Sequence, residues 1–218
     1  MKTSAQTDLE LALQTLKEFG WLLETDAKLP SVTGLVAREP LRGSWWAHPR
    51  GQEIFAVLQQ VADHRDVIIT RLISEKLTLV HRALWSDLLS IATAREGWQL
   101  RALSSEARML LKMIDKSEQV RSDRLDWPAK YKSVKPGQAV LELEKRLLIH
   151  SEEFHAESGA HAKRLETWER WSKRVRFDHQ IVEVSQAKRR LEQSVRNLNG
   201  RYGASGKLPW IRQNERSK

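Results

Sequence analysis

Several segments of this sequence place apolar residues at three- and four-residue intervals, and one stretch changes character. DVIITRLISEKLTLVHRALW, residues 66–85, crowds Val67, Ile68, Ile69, Thr70, Ile73, Thr78 and Val80 into two short runs around Ser74-Glu75-Lys76. β-Branched side chains are stiff in a helix and suit a pleated, half-buried surface. The stretch predicts a β-hairpin, and a chain with one hairpin among amphipathic helices folds as mainly α with a small β element, an α+β protein. The turn lacks Asn-Gly or Asp-Gly, so a continuous helix through residue 92 is the alternative.

The flanking segments are helical in period. Residues 7–24 place Leu9, Leu13, Leu16, Phe19 and Leu23 on one face, with Asp8 and Glu10 in a first turn where the helix dipole favours them. DAKLPSVTGLVAREPLRG then scatters two prolines and two glycines as an irregular connection. It leads to GSWWAHPRGQEIF, where Pro49 and Gly51 mark the start of a helix carrying Ile54, Phe55, Val57, Leu58 and Val61. Helical spacing returns in ALWSDLLSIATAREGWQL, and SSEARMLLKMIDK opens with a cap signature. Residues 138–176 read as one or two long helices, and Ile181, Val184, Ala187, Leu191, Val195 and Leu198 form a stripe that stops at Gly200. The organisation that follows is a neutral α+β body over 1–117, a linker or surface connection over 118–137, long basic helices over 138–200 and a mobile tail over 201–218. A helix, a two-stranded wing and further helices resemble the ingredients of a winged helix, as an analogy of architecture.

Charge separates the two ends. Residues 1–159 carry 22 Lys and Arg against 22 Asp and Glu, and residues 160–218 carry 15 against 6, so the net charge of +9 lies in the last 59 residues. That asymmetry points to an acidic partner, nucleic acid first, with DNA ahead of RNA; a well-solvated helical face is the plain alternative. The absence of cysteine rules out disulfides and thiolate metal sites and fits a reducing cytoplasm. No apolar run has the length of a membrane span, and the first residues have no uncharged signal-type core.

The densest group of titratable residues is IHSEEFHAESGAHAKRLETWERW, residues 149–171. Read as a helix, it puts His150, Glu153, Phe154, Glu157, His161, Arg164, Leu165, Trp168 and Trp171 on one face, with Glu157 and His161 at i, i+4, a spacing that serves one ion or one proton path. His150 and His161 stand too far apart for a shared metal, and H-E-x-x-H is absent, so no metal is assigned. His48 and His81 are the further imidazoles that such an acid/base site would draw on; a helix break at Ser158-Gly159 is the alternative, and it re-aims His155 or His161. Trp45, Trp46, His48 and Arg50 precede a helix N-terminus, a place that favours an anion. An exposed tryptophan there would stack on a base, whereas two in a Pro/Gly loop more often plug a core, the reading preferred for at least one of them.

KRLETWERWSKRVR interleaves Arg164, Arg170, Lys173, Arg174 and Arg176 with Trp168 and Trp171, and Lys188, Arg189 and Arg190 follow. Cations beside aromatic planes suit phosphate contact with base stacking, and tryptophans at i, i+3 equally suit helix packing. Phosphate-loop, dinucleotide and serine-hydrolase signatures are missing, and nothing requires a cofactor. Three readings stand: a nucleic-acid-binding protein working through the basic helices; an enzyme on nucleic acid, of nuclease or glycosylase type, using Glu157 and His161 with His48, His81 or His150; and a scaffold or homodimer joined through the C-terminal helices.

Overall fold

The β-branched stretch forms the expected hairpin. In the computed structural model, which describes residues 4–129, 135–157, 159, 161–178 and 180–211, β2 (Val67–Arg71) and β3 (Leu77–His81) pair antiparallel, with Ile68 opposite Val80 and Thr70 opposite Thr78. A 3-10 turn at Ile73–Glu75 joins them, and Thr78 Oγ1 accepts from Ile73 N at 3.1 Å to hold the corner.

A third strand completes this sheet where helix was expected. The first helix, α1 (Ser4–Phe19), stops short of residue 24, and Trp21–Leu23 become β1, pairing with β3 so that the order is β1-β3-β2. All three residues of β1 are buried, so the side chains that continue the helical stripe on paper serve both faces of a strand. Asp8 does not sit in the first turn of α1: it is buried at 1% exposure and pairs with Arg38 and Arg50. Two helices separate β1 from the hairpin, α2 (Val32–Ala37) and α3 (Gly51–Ala62), and both pack on α1.

The second half departs further from its period. Residues 138–176 are not long helices. After α4 (Trp85–Thr93), α5 (Gly97–Leu100) and α6 (Ser105–Lys116, capped by Ser104 as its signature predicts) come β4 (Val120–Arg121), α7 (Pro136–Lys145) and a second hairpin, β5 (His150–His155) with β6 (His161–Glu166). The strand order is β4-β6-β5, so each sheet sets its first strand beside its last, with the last in the centre. In both halves a helix precedes the hairpin directly, α3 before β2 and α7 before β5. The connection expected over 118–137 contains β4 and the start of α7, and its residues 130–134 lie outside those described.

Two final helices close the fold, α8 (Trp168–Arg174) and α9 (Val184–Tyr202). α9 ends at Gly203 rather than Gly200. Its stripe of Ala187, Leu191, Val195 and Leu198 is buried inside its own chain, where α9 packs on α4, so it is not an open face for a second copy; Ile181, read as the first residue of that stripe, is 89% exposed. The segment after α9 packs onto the fold: Leu208 and Trp210 are buried, and Ser74 N donates to Lys207 O at 2.8 Å. Residues 212–218 of that tail lie outside the described chain. The core around Trp21, Trp85, Trp168 and Trp171 thus draws on residues from β1 to Trp210, and each large side chain it buries contributes about 2–3 kcal/mol of transfer free energy.

Candidate functional site

A cleft of about 350 Å³ opens beside α7 and the β4-β6-β5 sheet, bordered by Arg71, Ser122, Glu153, His161 and Lys163. Glu144 lies in it at 4% exposure. One of its oxygens accepts from Lys163 Nζ at 2.6 Å and Ser151 Oγ at 2.5 Å, the other from Arg71 Nε at 3.2 Å. Two cations and a hydroxyl hold the buried carboxylate, so Glu144 ties α7 to both sheets rather than standing ready as a base. Periodicity contains the signal for this residue: Ala139, Val140, Leu143 and Glu144 share the buried face of α7, and a carboxylate in an apolar stripe must find partners. Asp8 has the same mark, in register with Ala12, Thr15 and Leu16 on α1.

The five residues read as acid/base candidates do not converge. His161 alone borders the cleft, facing His155 across the hairpin with ring centroids 4.6 Å apart. Glu157 is not its helical neighbour; it sits in the turn between strands and pairs with Arg124 at 3.0 Å. His48 meets Glu39 at 3.0 Å, and His81 caps a 3-10 turn by accepting from Ala83 N. Burial, ahead of the opposing pull from Asp66, lowers the His81 pKa, the direction that suits a ring nitrogen accepting a hydrogen bond. His150 is buried against the rings of Trp168 and Trp171, each 5.3 Å away. Among the described residues no group of three or more His, Asp or Glu is arranged to hold a metal ion.

His150 belongs to a buried charge group that the helical reading hides. Its Nδ1 stands 3.5 Å from Glu166 Oε1, and Arg174 reaches the same carboxylate at 2.6 Å and Glu152 at 2.9 Å. Burial pushes the Glu166 carboxyl up, but His150 and Arg174 together more than offset it and hold the group below the usual glutamate value.

Most of the cations read as phosphate ligands are spent internally. Arg50 turns in to Asp8, Arg164 pairs with Glu152 at 3.6 Å, Lys188 with Glu96 at 2.5 Å and Arg190 with Asp87 at 3.2 Å. Arg170 caps the C-terminal end of α6 through the carbonyls of Ile114 and Asp115. Lys173, Arg176 and Arg189 are exposed with no carboxylate at ion-pair distance among the described residues. Trp168 and Trp171 are 1% and 4% exposed, which leaves no ring face for a base; helix packing, not stacking, explains their spacing.

The loop before α3 divides its tryptophans. Trp45 is a core plug at 7% exposure, and Trp46 is 66% exposed. The rings stack at 4.2 Å with 22° between planes, and Phe55, 38% exposed, leans on Trp46 at 5.5 Å.

A family model described as AlkZ related matches residues 7–203 of this chain. No curated protein and no solved structure matches it.

Proposed function

The chain belongs to the AlkZ-related family, and from that premise we propose that it is a DNA-binding protein with a role in DNA repair. The observation that carries the reading is the doubled arrangement of a helix followed directly by an antiparallel hairpin, on a sheet whose first strand flanks its last. Each half is then a winged-helix-like unit, with α3 and α7 in the place of the helix that enters a groove and the hairpin as the wing. The major groove of B-form DNA admits one helix or one two-stranded ribbon, whereas that of A-form RNA is too narrow for side chains to read. The outer face of α3 supports this use, since Gln52, Gln59 and Gln60 are exposed there and amides pair with adenine edges. Lys173, Arg176 and Arg189, which no described carboxylate pairs with, supply cations for phosphates.

The test is titration of the full chain into labelled duplex DNA, single-stranded DNA and duplex RNA at low and physiological salt, with one duplex carrying an alkylated base. Binding to DNA that weakens as salt rises, and weaker binding to duplex RNA, is the expected result. Absence of binding to any DNA at low salt overturns the reading.

A further inference from the structure

Trp46 leaves two-thirds of an indole in water, a large apolar surface that a surface loop has no folding reason to carry. Its surroundings hold that ring in place. Trp45, against which it stacks, is itself anchored in the core with Ile54, Val57 and Leu79, and its Nε1 donates to Glu24 Oε1 at 3.3 Å. The loop backbone is closed on both sides of Pro49, where His48 N donates to Trp45 O at 3.0 Å and Gly51 N to His48 O at 2.8 Å. The first turn of α3 presses on this loop so closely that a Cβ at residue 51 would stand 3.0 Å from the Trp46 carbonyl oxygen, which is why glycine follows Arg50. Phe55, one turn further along α3, extends the aromatic surface. Arg42, four residues before the ring, is exposed, while Glu24 and Glu39 reach this loop through Trp45 Nε1 and His48 Nε2.

We propose that Trp46, backed by Trp45 and flanked by Phe55, is a stacking platform for an unpaired DNA base, an inference that rests on the DNA-binding reading above. A rigid indole loses little freedom when a flat partner covers it. Every base has a π-face, so the platform is tolerant of sequence. A base within an intact duplex has both faces covered by its neighbours, so the site selects bases that have left the stack. Mismatched, bulged or damaged positions, whose unstacking costs least, are its natural ligands. The platform lies at the start of the helix assigned to groove entry, so a base leaving the duplex beside α3 has a surface to meet.

The probes are a fluorescein-labelled duplex with one unpaired base and the same duplex fully paired, titrated with wild type, Trp46→Ala and Trp46→Phe. For the unpaired-base duplex, Trp46→Ala binds about ten- to a hundredfold more weakly and Trp46→Phe stays within about threefold of wild type. For the fully paired duplex all three agree. Both variants melt cooperatively, Trp46→Ala within about 6 °C of wild type because it gives up the contact with Trp45, and Trp46→Phe closer still. Quenching of tryptophan emission on binding, present in wild type, is reduced in Trp46→Phe. Equal binding of both duplexes by Trp46→Ala and wild type overturns the platform and leaves DNA binding standing, as does an equal loss on both. Failure of wild type to bind any DNA overturns both readings. A dimer seen by light scattering in wild type and lost in Trp46→Ala assigns the ring to a second copy and also overturns the proposal.

Discussion

The indole Nε1 of Trp21 donates to Ser194 Oγ at 2.8 Å, joining β1 to α9 across 173 residues of sequence. Trp21 is fully buried, so its N–H has no water to turn to. Ser194→Ala leaves that donor unpaired and costs about 1–3 kcal/mol. Urea denaturation reads this as a lower midpoint at unchanged slope. A midpoint equal to wild type would show that the bond contributes nothing.

Glu166 makes the fold acid-sensitive. A carboxyl whose folded pKa lies below its unfolded value contributes stability that is complete above the unfolded pKa and is lost as pH falls through the folded one. Arg174→Gln removes one of the two groups that lower it and destabilises the protein by about 1–2 kcal/mol at pH 7, since Arg174 is partly solvated. The gap between variant and wild type narrows as pH drops below about 4, the ordinary glutamate range. Melting temperatures measured from pH 7 to pH 3 test this, and a constant gap would refute the assignment.

Gly206 lets the segment after α9 dock. A Cβ there would stand 2.7 Å from Ile73 Cγ2 and 3.0 Å from Leu29 Cδ1. Gly206→Ala is expected to destabilise by about 1–3 kcal/mol through overpacking, and to expose the backbone around Ser74 and Lys207 to hydrogen exchange. Unchanged protection at those amides would sink this.

Glu144 and Lys163 are energetically coupled. Each of Glu144→Ala and Lys163→Ala lowers stability, and the double variant costs less than their sum by about 0.5–3 kcal/mol, the range for residues in one ion-pair network. Additive losses in denaturant melts would mean that Glu144 relies on Arg71 and Ser151 alone.

How much of this is legible in the sequence depends on the side chains that make each element. β2 and β3 announce themselves through Val67, Ile68, Ile69 and Val80. β5 and β6 contain no β-branched residue; beside Ser151, Phe154 and the histidines they hold Glu, Ala, Lys, Arg and Leu, which form helices when nothing else intervenes. Tertiary pairing overrides that preference, and the local trace is Ser158-Gly159, with Gly159 at φ +78 in the turn. The division of labour between Trp45 and Trp46 is half legible, since the loop calls for one plug and does not say which ring. The charge groups at Asp8, Glu144 and Glu166 link residues far apart in sequence, so their partners emerge only from the packing.

The docking of α9 and Trp210 onto the layer that holds Trp21 and Trp85 has a consequence for the order of events during synthesis. A nascent chain that has released β1, β3 and α4 from the ribosome still lacks the surface that covers them. Those tryptophans wait, wetted and adhesive, until the segment through Trp210 has emerged, about ten to twenty seconds after β3 at ordinary translation rates. The early half of the chain therefore holds an uncovered apolar layer until the late half arrives, and its native state is sealed from the late end backwards.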